Sequence, residues 1–302
     1  MTIRSVALIG VGSMGAAVAR HIQDAGHALI ACDLDEAVLA RFEARGARAC
    51  RRGRDCADAD LVIVLVTTAA QMRAVLLGPD GLAAGLSPGH KPWVAVMSTV
   101  PLGAVEQLHA ELGDRIAGLC DVPISGGPAR AEQGTLTVLA GGEPAVLEAI
   151  EPVLRTFSST IVRCGGLGKG QAMKVVNNIL GNAAVALSAE AYRLANDLGL
   201  DTAATAAALE QGTGRNLASA PGMDLAGFYA AMVGDRAGFD SLLGIIRKDY
   251  RYAAELASAQ PGRYPMILGV QSLFEGLGDE TFDNWRFIGH PEPTRPSTEN
   301  PS

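Results

Sequence analysis

The chain has 302 residues, 48% of them apolar, and a formal net charge of −7 at pH 7. This length accommodates two domains, each with a core of its own. The acidic balance argues against a nucleic-acid-binding surface, which needs a concentrated basic face, and the arginines clustered between positions 45 and 54 are interpreted as a solvated face.

Short apolar runs alternate with helical segments through the first half of the chain. Strands are predicted at Ser5–Ile9, Ala28–Asp33, Leu61–Val66, Trp93–Met97, Ile116–Val122, Leu136–Ala140 and Thr160–Arg163. Strands that are apolar throughout and are separated by helices indicate a mostly parallel sheet covered on both faces. The first half is therefore predicted to be a doubly wound α/β domain.

The strand pattern stops after "CGGLGKG", and alanine- and leucine-rich helical patterns begin. Helices are predicted at Gln171–Leu198, Thr202–Gln211, Asp240–Ala259 and Pro265–Gly276. The first of these is long and rich in small residues, which favours a bridge between domains or a subunit interface. The predicted domains are 1–164 for the sheet, 165–288 for the helices and 289–302 for a proline-rich, mobile tail.

A glycine-rich turn follows the first predicted strand in "ALIGVGSMGAAVARHI". Gly10, Gly12 and Gly15 have the G-x-G-x-x-G spacing at the start of an amphipathic helix, which is typical of dinucleotide binding. In this interpretation Gly10 makes the tight turn, Gly12 admits a pyrophosphate, and Gly15 lets helix and strand pack closely. The predicted cofactor-binding residues of the turn are Gly10, Val11, Gly12, Ser13, Met14 and Gly15.

An acidic residue, Asp33, ends the second predicted strand. A carboxylate at this position accepts hydrogen bonds from a ribose hydroxyl and repels a 2′-phosphate. The next residue is Leu34 rather than an arginine, so NAD is favoured and NADP stays open as the alternative. The other interpretation of Asp33 is a cap on the turn or on the following helix.

Lys174 and Asn178 are four residues apart near the start of the long predicted helix and therefore share one face. A lysine that is partly desolvated beside a cofactor can take the proton that a hydroxyl loses on oxidation. Asn178 could hold the substrate oxygen or orient the ammonium group. The alternative is an exposed lysine beside two solvated asparagines, Asn177 and Asn178.

Four segments in order, "GVGSMG", "DVPISGGPARAEQGTL", "GLGKGQAMKVVNN" and "IIRKDYRYA", resemble the β-hydroxyacid dehydrogenase family, which includes 3-hydroxyisobutyrate dehydrogenases and tartronate semialdehyde reductases. The resemblance covers nearly the whole chain. It implies a Rossmann-type, mostly parallel N-terminal domain followed by an all-α domain like that of 6-phosphogluconate dehydrogenase. It also implies an NAD(P)-dependent 3-hydroxyacid dehydrogenase that forms homodimers or homotetramers.

The resemblance also implies a role for individual residues. Lys174 matches the family's catalytic lysine and Asn178 its substrate-binding asparagine, while Asn177 is expected to support the site. Substrate and cofactor contacts are expected at Lys248, which Asp249 follows. The segment Ser125, Gly126 and Gly127 matches the loop that holds the substrate carboxylate, a task suited to exposed backbone amides and one hydroxyl.

Two further cofactor contacts are expected where strands end. Thr67 and Thr68 follow one predicted strand, and Ser98 and Thr99 follow the next. Ligands of open α/β sheets lie at the carboxyl ends of the strands, and in the family these loops border the nicotinamide and its ribose. The preferred contacts are Thr67 and Thr99, with Ser98 as the alternative to Thr99.

Arg130, in place of a glycine that many relatives have, and Arg215 could each bind a second anionic group of the substrate, or could be surface residues. The sequence therefore predicts a small anionic 3-hydroxy acid without naming it, and Lys174 as the general acid and base of its reversible oxidation to a semialdehyde or β-keto acid. An imine reductase on the same scaffold and a catalytically silent nucleotide-binding protein are the alternatives. A decarboxylating sugar-phosphate dehydrogenase generally has a longer helical part.

The five cysteines contain no C-x-x-C pair and have no neighbouring histidine. Reduced, mostly buried thiols and no metal site are therefore predicted. No apolar run approaches the roughly 18 residues that a membrane-spanning helix requires. We expect a cytoplasmic protein with neither membrane nor nucleic-acid partners.

Overall fold

The protein divides into two compact units in the computed structural model, which describes residues 2–260 and 262–290. The first, called the sheet unit below, ends at Lys174, and the second, the helical unit, begins at Val175. This division falls inside a long helix, whereas the predicted boundary after Cys164 precedes it and stays a prediction. Of the predicted tail, Gly289 ends the last helix of the described residues, and residues 291–302 lie outside them.

One sheet dominates the described part of the sheet unit. Its strands are β1 (Ser5–Ile9), β2 (Ala28–Cys32), β3 (Arg48–Cys50), β4 (Leu61–Val64), β5 (Trp93–Val96), β6 (Gly118–Asp121), β7 (Ile124–Ser125), β8 (Leu136–Gly141) and β9 (Ser158–Gly165). Their order is β3-β2-β1-β4-β5-β6-β8-β7, and β9 also pairs with β8. Strands β1 to β6 are parallel to one another, and β8 runs antiparallel to β6 and β7.

Helices connect these strands. They are α1 (Ser13–Asp24), α2 (Glu36–Glu43), α3 (Ala69–Leu77), α4 (Leu82–Gly85), α5 (Ala104–Leu112), α6 (Gly127–Glu132) and α7 (Pro144–Leu154), followed by α8 (Lys169–Asp197), which continues into the helical unit. Since β1 neighbours both β2 and β4, the sheet grows in one direction through β3 and in the other through β6. This is the doubly wound, Rossmann-type order, in which ligands bind at the carboxyl ends of the strands.

Strand β1 shows why the sheet lies between two layers. Val6 and Leu8 belong to one buried apolar cluster, while Ala7 and Ile9 belong to a second. Successive strand residues point to opposite faces, so both faces of β1 are buried. A strand that is apolar throughout is thus explained by its central place in a parallel sheet.

The helical unit is built from α8 and five further α-helices in its described residues. These are α9 (Thr202–Gln211), α10 (Leu225–Val233), α11 (Arg236–Ser258), α12 (Pro265–Gly276) and α13 (Asp279–Gly289). Its core includes Tyr229 and Trp285, whose rings meet edge to face with 5.7 Å between centroids. The Tyr229 hydroxyl donates to the Val185 carbonyl of α8 at 2.7 Å, which satisfies a buried polar atom. None of the helices in the described ranges combines the length and apolarity that a membrane crossing requires.

Candidate active site

The glycine turn after β1 has the geometry that its sequence predicts. Gly10 has φ +96°, and a Cβ there would lie 2.2 Å from the Leu65 carbonyl oxygen. A Cβ on Gly15 would lie 2.0 Å from the Gly10 carbonyl oxygen, whereas nothing lies within 4 Å of one built on Gly12. Gly10 and Gly15 are therefore required for packing, and Gly12 leaves open space beside the backbone.

The start of α1 also suits a phosphate group. Gly12 is the N-cap of this helix, and no described side chain caps it. The first N–H groups of a helix lack intrahelical partners and carry partial positive charge. The turn thus fits the pyrophosphate of a dinucleotide, which would accept these hydrogen bonds.

Asp33 follows β2 and holds the glycine turn in place. Its Oδ2 accepts from the Val11 N–H at 2.8 Å, and its Oδ1 accepts from the N–H groups of Leu34 at 2.7 Å and Asp35 at 3.1 Å. Asp35, not Asp33, caps α2 by accepting from the Ala37 N–H. A carboxylate offers about four acceptor positions, so half-buried Asp33 can still accept a further hydrogen bond.

The loops after β4 and β5 are joined by Ser98. The buried Ser98 Oγ accepts from the Val66 N–H at 2.8 Å and donates to the Val64 carbonyl at 3.3 Å. The neighbouring loop is fixed by Gln71, whose side chain accepts from the Thr67 N–H at 3.0 Å. The Ser98 hydroxyl is committed to the protein backbone, and the ligand contact expected at Thr99 stays a prediction.

The Ser-Gly-Gly segment lies between a short strand and a short helix. Ser125 ends β7, in register with Thr137 of β8. Gly126 and Gly127 follow with φ values of +135° and +70°, which favour glycine, and α6 begins at Gly127. A Cβ on Gly126 would lie 3.0 Å from Arg130 Cβ, whereas nothing lies within 4 Å of one on Gly127. The segment is a turn, and its second glycine faces open space.

A fully buried carboxylate, Asp121 at the end of β6, holds the start of α8. Asp121 Oδ1 accepts from the Gly168 N–H at 2.8 Å, and Oδ2 accepts from the Gln171 N–H at 2.7 Å. A Cβ on Gly141 would lie 2.5 Å from Asp121 Oδ1, and one on Gly170 would lie 2.7 Å from Oδ2. Burial raises the pKa of Asp121 to about 6, against the opposing effect of the two backbone hydrogen bonds.

Gln171, also fully buried, ties the first turn of α8 to the loop after β5. Its Nε2 donates to the Ser98 carbonyl at 2.9 Å, and its Oε1 accepts from the Val100 N–H at 3.0 Å. Asp121 and Gln171 are called the polar anchor below. Lys174, half-buried, lies about one turn beyond Gln171 on the same helix, so the polar anchor fixes the helix that carries the predicted catalytic lysine.

Asn178, Lys248 and Asp249 come together within the helical unit. The Asn178 amide donates to Asp249 Oδ2 at 2.6 Å, and Lys248 Nζ lies 3.5 Å from Asp249 Oδ1. The Asn177 amide in turn donates to Asn178 Oδ1 at 3.2 Å. Asp249 is buried, so it orients both side chains for which substrate contacts are predicted.

The residues discussed so far include two that sequence reasoning did not single out, Asp121 and Gln171. Both lie inside the sequence motifs named above. The signal in the sequence that could have identified them is a polar residue at the end of an apolar strand, for Asp121, or at the start of a helix, for Gln171. Of the two arginines left open, Arg215 forms an ion pair with Glu210 at 2.9 Å, and exposed Arg130 lies in α6 beside Gly126.

Comparisons with known proteins agree with this architecture. Residues 5–166 match the model of the NAD-binding domain of 6-phosphogluconate dehydrogenase, and residues 168–285 match that of the NAD-binding domain of NADP-dependent 3-hydroxyisobutyrate dehydrogenase. The chain is 32% identical to the NAD-dependent L-serine dehydrogenase of Pseudomonas aeruginosa, over 91% of this chain and 92% of that protein. It is 36% identical to the L-threonate dehydrogenase of Cupriavidus necator, over 66% of this chain and 67% of that protein.

A solved structure gives the same result for the fold. The crystal structure of 3-hydroxyisobutyrate dehydrogenase from Salmonella typhimurium is 28% identical, covers 90% of this chain and 93% of its own, and superposes with a TM-score of 0.75. The two matched models together span both units, and each describes a domain of an NAD(P)-dependent dehydrogenase. The chain therefore belongs to the β-hydroxyacid dehydrogenase family and is an NAD(P)-dependent hydroxyacid dehydrogenase.

Proposed function

We propose that the protein interconverts a small 3-hydroxy acid and its semialdehyde or β-keto acid, with Lys174 as the general acid and base. The observation that carries this proposal is the polar anchor. Gln171 binds the backbone on both sides of Thr99, and Lys174 follows one turn later on α8. Helix α8, which carries the proposed proton-transfer residue Lys174, is thereby bound to the loop after β5, where a nicotinamide contact is predicted at Thr99.

Each of the proposed site residues has a separate role in the reaction. Ser125, Gly126 and Gly127 bind the carboxylate through a hydroxyl and backbone amides, while Asn178 holds the carbinol oxygen and Lys248 contributes at the substrate. Bound NAD(P) supplies the hydride acceptor for the carbinol carbon. During oxidation the neutral Lys174 amine takes the hydroxyl proton, and during reduction the ammonium returns it.

NAD is proposed as the preferred cofactor because of Asp33. The glycine turn fits a dinucleotide, with Gly12 open to the pyrophosphate and Thr67 and Thr99 in the neighbouring loops. The Asp33 carboxylate has an acceptor position left for a ribose hydroxyl. The same negative charge disfavours the 2′-phosphate of NADP.

The proposal is tested by following reduced nicotinamide absorbance with NAD and a panel of 3-hydroxy acids. L-Serine, L-threonate and 3-hydroxyisobutyrate belong in the panel because they are named for the relatives. Lys174→Ala should lower kcat on the order of 10²- to 10⁴-fold, with NAD binding retained. Lys91→Ala is the matched control, because Lys91 is exposed and precedes β5, away from the carboxyl ends of the strands.

Arg130 is proposed to bind a second anionic group of the substrate, and a charge reversal tests this. If Arg130 reads a second anion, Arg130→Glu should shift the ratio of kcat/KM values for dicarboxylates and monocarboxylates toward monocarboxylates. An unchanged ratio would indicate that Arg130 is a surface residue with no role in substrate binding.

An imine reductase is the second candidate function. Members of that group usually lack the lysine that this chain has at Lys174. Turnover of cyclic imines with no turnover of hydroxy acids would favour this candidate.

We further propose that the protein is a cytoplasmic homodimer or homotetramer. All five cysteines are free thiols, which suits a reducing compartment. Val176, Leu180, Leu187 and Leu194 follow one another along α8 at spacings of four, seven and seven residues, and each is more than half exposed. Such an apolar stripe suits a helix of a second copy, and Leu187→Glu should reduce the mass measured by light scattering.

A further inference from the structure

Three thiols that are scattered in the sequence meet at one edge of the sheet unit. Cys32 and Cys50 are register partners on the parallel strands β2 and β3, and Cys56 ends the 3-10 turn that follows β3. The three Sγ atoms lie within 4.8 Å of one another, and those of Cys50 and Cys56 are 3.7 Å apart. The strand pairing, not the sequence spacing, creates this thiol cluster.

One sulfur separation in the cluster matches that around a tetrahedral metal ion. A Zn–S bond is about 2.3 Å long, and tetrahedral angles then place two ligand sulfurs about 3.8 Å apart. The Cys50–Cys56 separation already has this value within 0.1 Å. The Cys32 Sγ lies within 4.8 Å of both, and three sulfur ligands would leave a fourth coordination position for a water or an added ligand.

The cluster also has an entry path. Cys32 and Cys56 are buried, but half-buried Cys50 lines an open cavity of about 450 Å³ together with Arg48, Arg52 and others. A thiolate is the form that binds metals.

We propose that Cys32, Cys50 and Cys56 form a binding site for one soft, thiophilic metal ion, held by three thiolate sulfurs. The absence of C-x-x-C spacing predicted no metal site, but parallel strands bring ligands together without such spacing. Binding releases thiol protons to solvent and forms three metal–sulfur bonds, with no change in oxidation state. The site is separate from the proposed hydride chemistry, although the Cys32 and Cys50 carbonyls accept from the Gly10 and Asp33 N–H groups.

Cadmium is the probe for this proposal, because its thiolate complexes absorb in the ultraviolet. The reduced full-length protein, titrated anaerobically with Cd²⁺, should develop the charge-transfer band with a stoichiometry of one ion per chain. Cys50→Ser should weaken binding by at least about tenfold, as even the loss of a group supporting a ligand does. Cys164→Ser, outside the cluster, should leave the titration unchanged.

A readout on the wild type avoids dependence on variants that fail to fold. One equivalent of Zn²⁺ should protect Cys50 from alkylation, as located by peptide mass mapping, and a chelator should restore the labelling, while Cys164 should be labelled equally throughout. Absence of the cadmium band, equal binding by Cys50→Ser, or no protection by Zn²⁺ would overturn the proposal. So would a Cys50–Cys56 disulfide that forms under air and is unaffected by prior addition of metal.

Discussion

Replacement of Asp121 by asparagine tests whether the polar anchor contains a carboxylate that is costly to ionise. The side chain is fully buried, and burial raises its pKa from 3.8 to about 6. One pKa unit corresponds to 1.36 kcal/mol, so the shift of about two units corresponds to about 3 kcal/mol. Because the folded-state pKa is raised, the stabilisation is complete below about pH 3.8 and is lost as the pH rises through 6.

The variant separates this titration from the hydrogen bonds. Asparagine keeps the shape but presents an N–H to one of the two backbone donors at Gly168 and Gln171, which costs roughly 1–3 kcal/mol at every pH. Only the wild type has a carboxyl group at position 121, so only its stability depends on the protonation of this side chain. The difference in unfolding free energy, wild type minus Asp121→Asn, should therefore fall by roughly 2 kcal/mol between pH 4 and pH 7, since part of the loss has already occurred at pH 4.

Urea titrations followed by circular dichroism at several pH values measure this difference. Asp114→Asn, at an exposed position before β6, controls for the loss of one negative charge. A difference that stays constant from pH 4 to 7 would refute the raised pKa. A difference that grows with pH would show that the amides at the start of α8 stabilise the carboxylate by more than burial destabilises it.

Four further variants test other parts of the site. Asp33→Asn should weaken NAD binding relative to NADP, measured as the ratio of dissociation constants, and an unchanged ratio would count against the ribose contact. Gly12→Ala should fold normally yet bind NAD(P) weakly, whereas Gly15→Ala should lower the melting temperature, because its Cβ would meet the Gly10 carbonyl at 2.0 Å. Gln171→Leu should destabilise the protein by roughly 1–3 kcal/mol through the buried groups left unpaired and should lower kcat; full kcat in a folded variant would contradict the anchoring role.

The long apolar strands were predictable because burial on both faces leaves a continuous signal. Strand β1 was predicted with the observed bounds, and the others within a few residues. The short strands β3 and β7 were not predicted: β3 contains Arg48 and β7 has two residues, so neither shows an apolar run. Helices α10 and α13 were also missed, since the apolar residues of α10 surround the helix rather than forming one stripe.

In the candidate site, too, the features set by local sequence were predictable and those set by long-range contacts were not. The glycine turn and Asp33 could be singled out from the sequence because each directly follows an apolar strand. The polar anchor was not found, because the hydrogen bonds of Gln171 and Asp121 join residues 47 to 73 positions apart. A glutamine near a helix start gives no local indication of which carbonyl it will meet.

The free-energy cost of the polar anchor indicates that it contributes something other than stability. Near neutral pH, the raised pKa of Asp121 costs the folded protein about 3 kcal/mol relative to a carboxyl group whose pKa does not change on folding. This is a large share of the free energy of unfolding of a typical domain, about 5–15 kcal/mol. Apolar packing would hold α8 at lower cost, but it would not fix the helix to the loop after β5 with hydrogen-bond geometry. Directional bonds at both Asp121 and Gln171 restrict where Lys174 can lie, and a catalytic base displaced by 1 Å loses much of its effect. The position of the lysine, rather than the stability of the sheet unit, is therefore the property that these two buried side chains are expected to control.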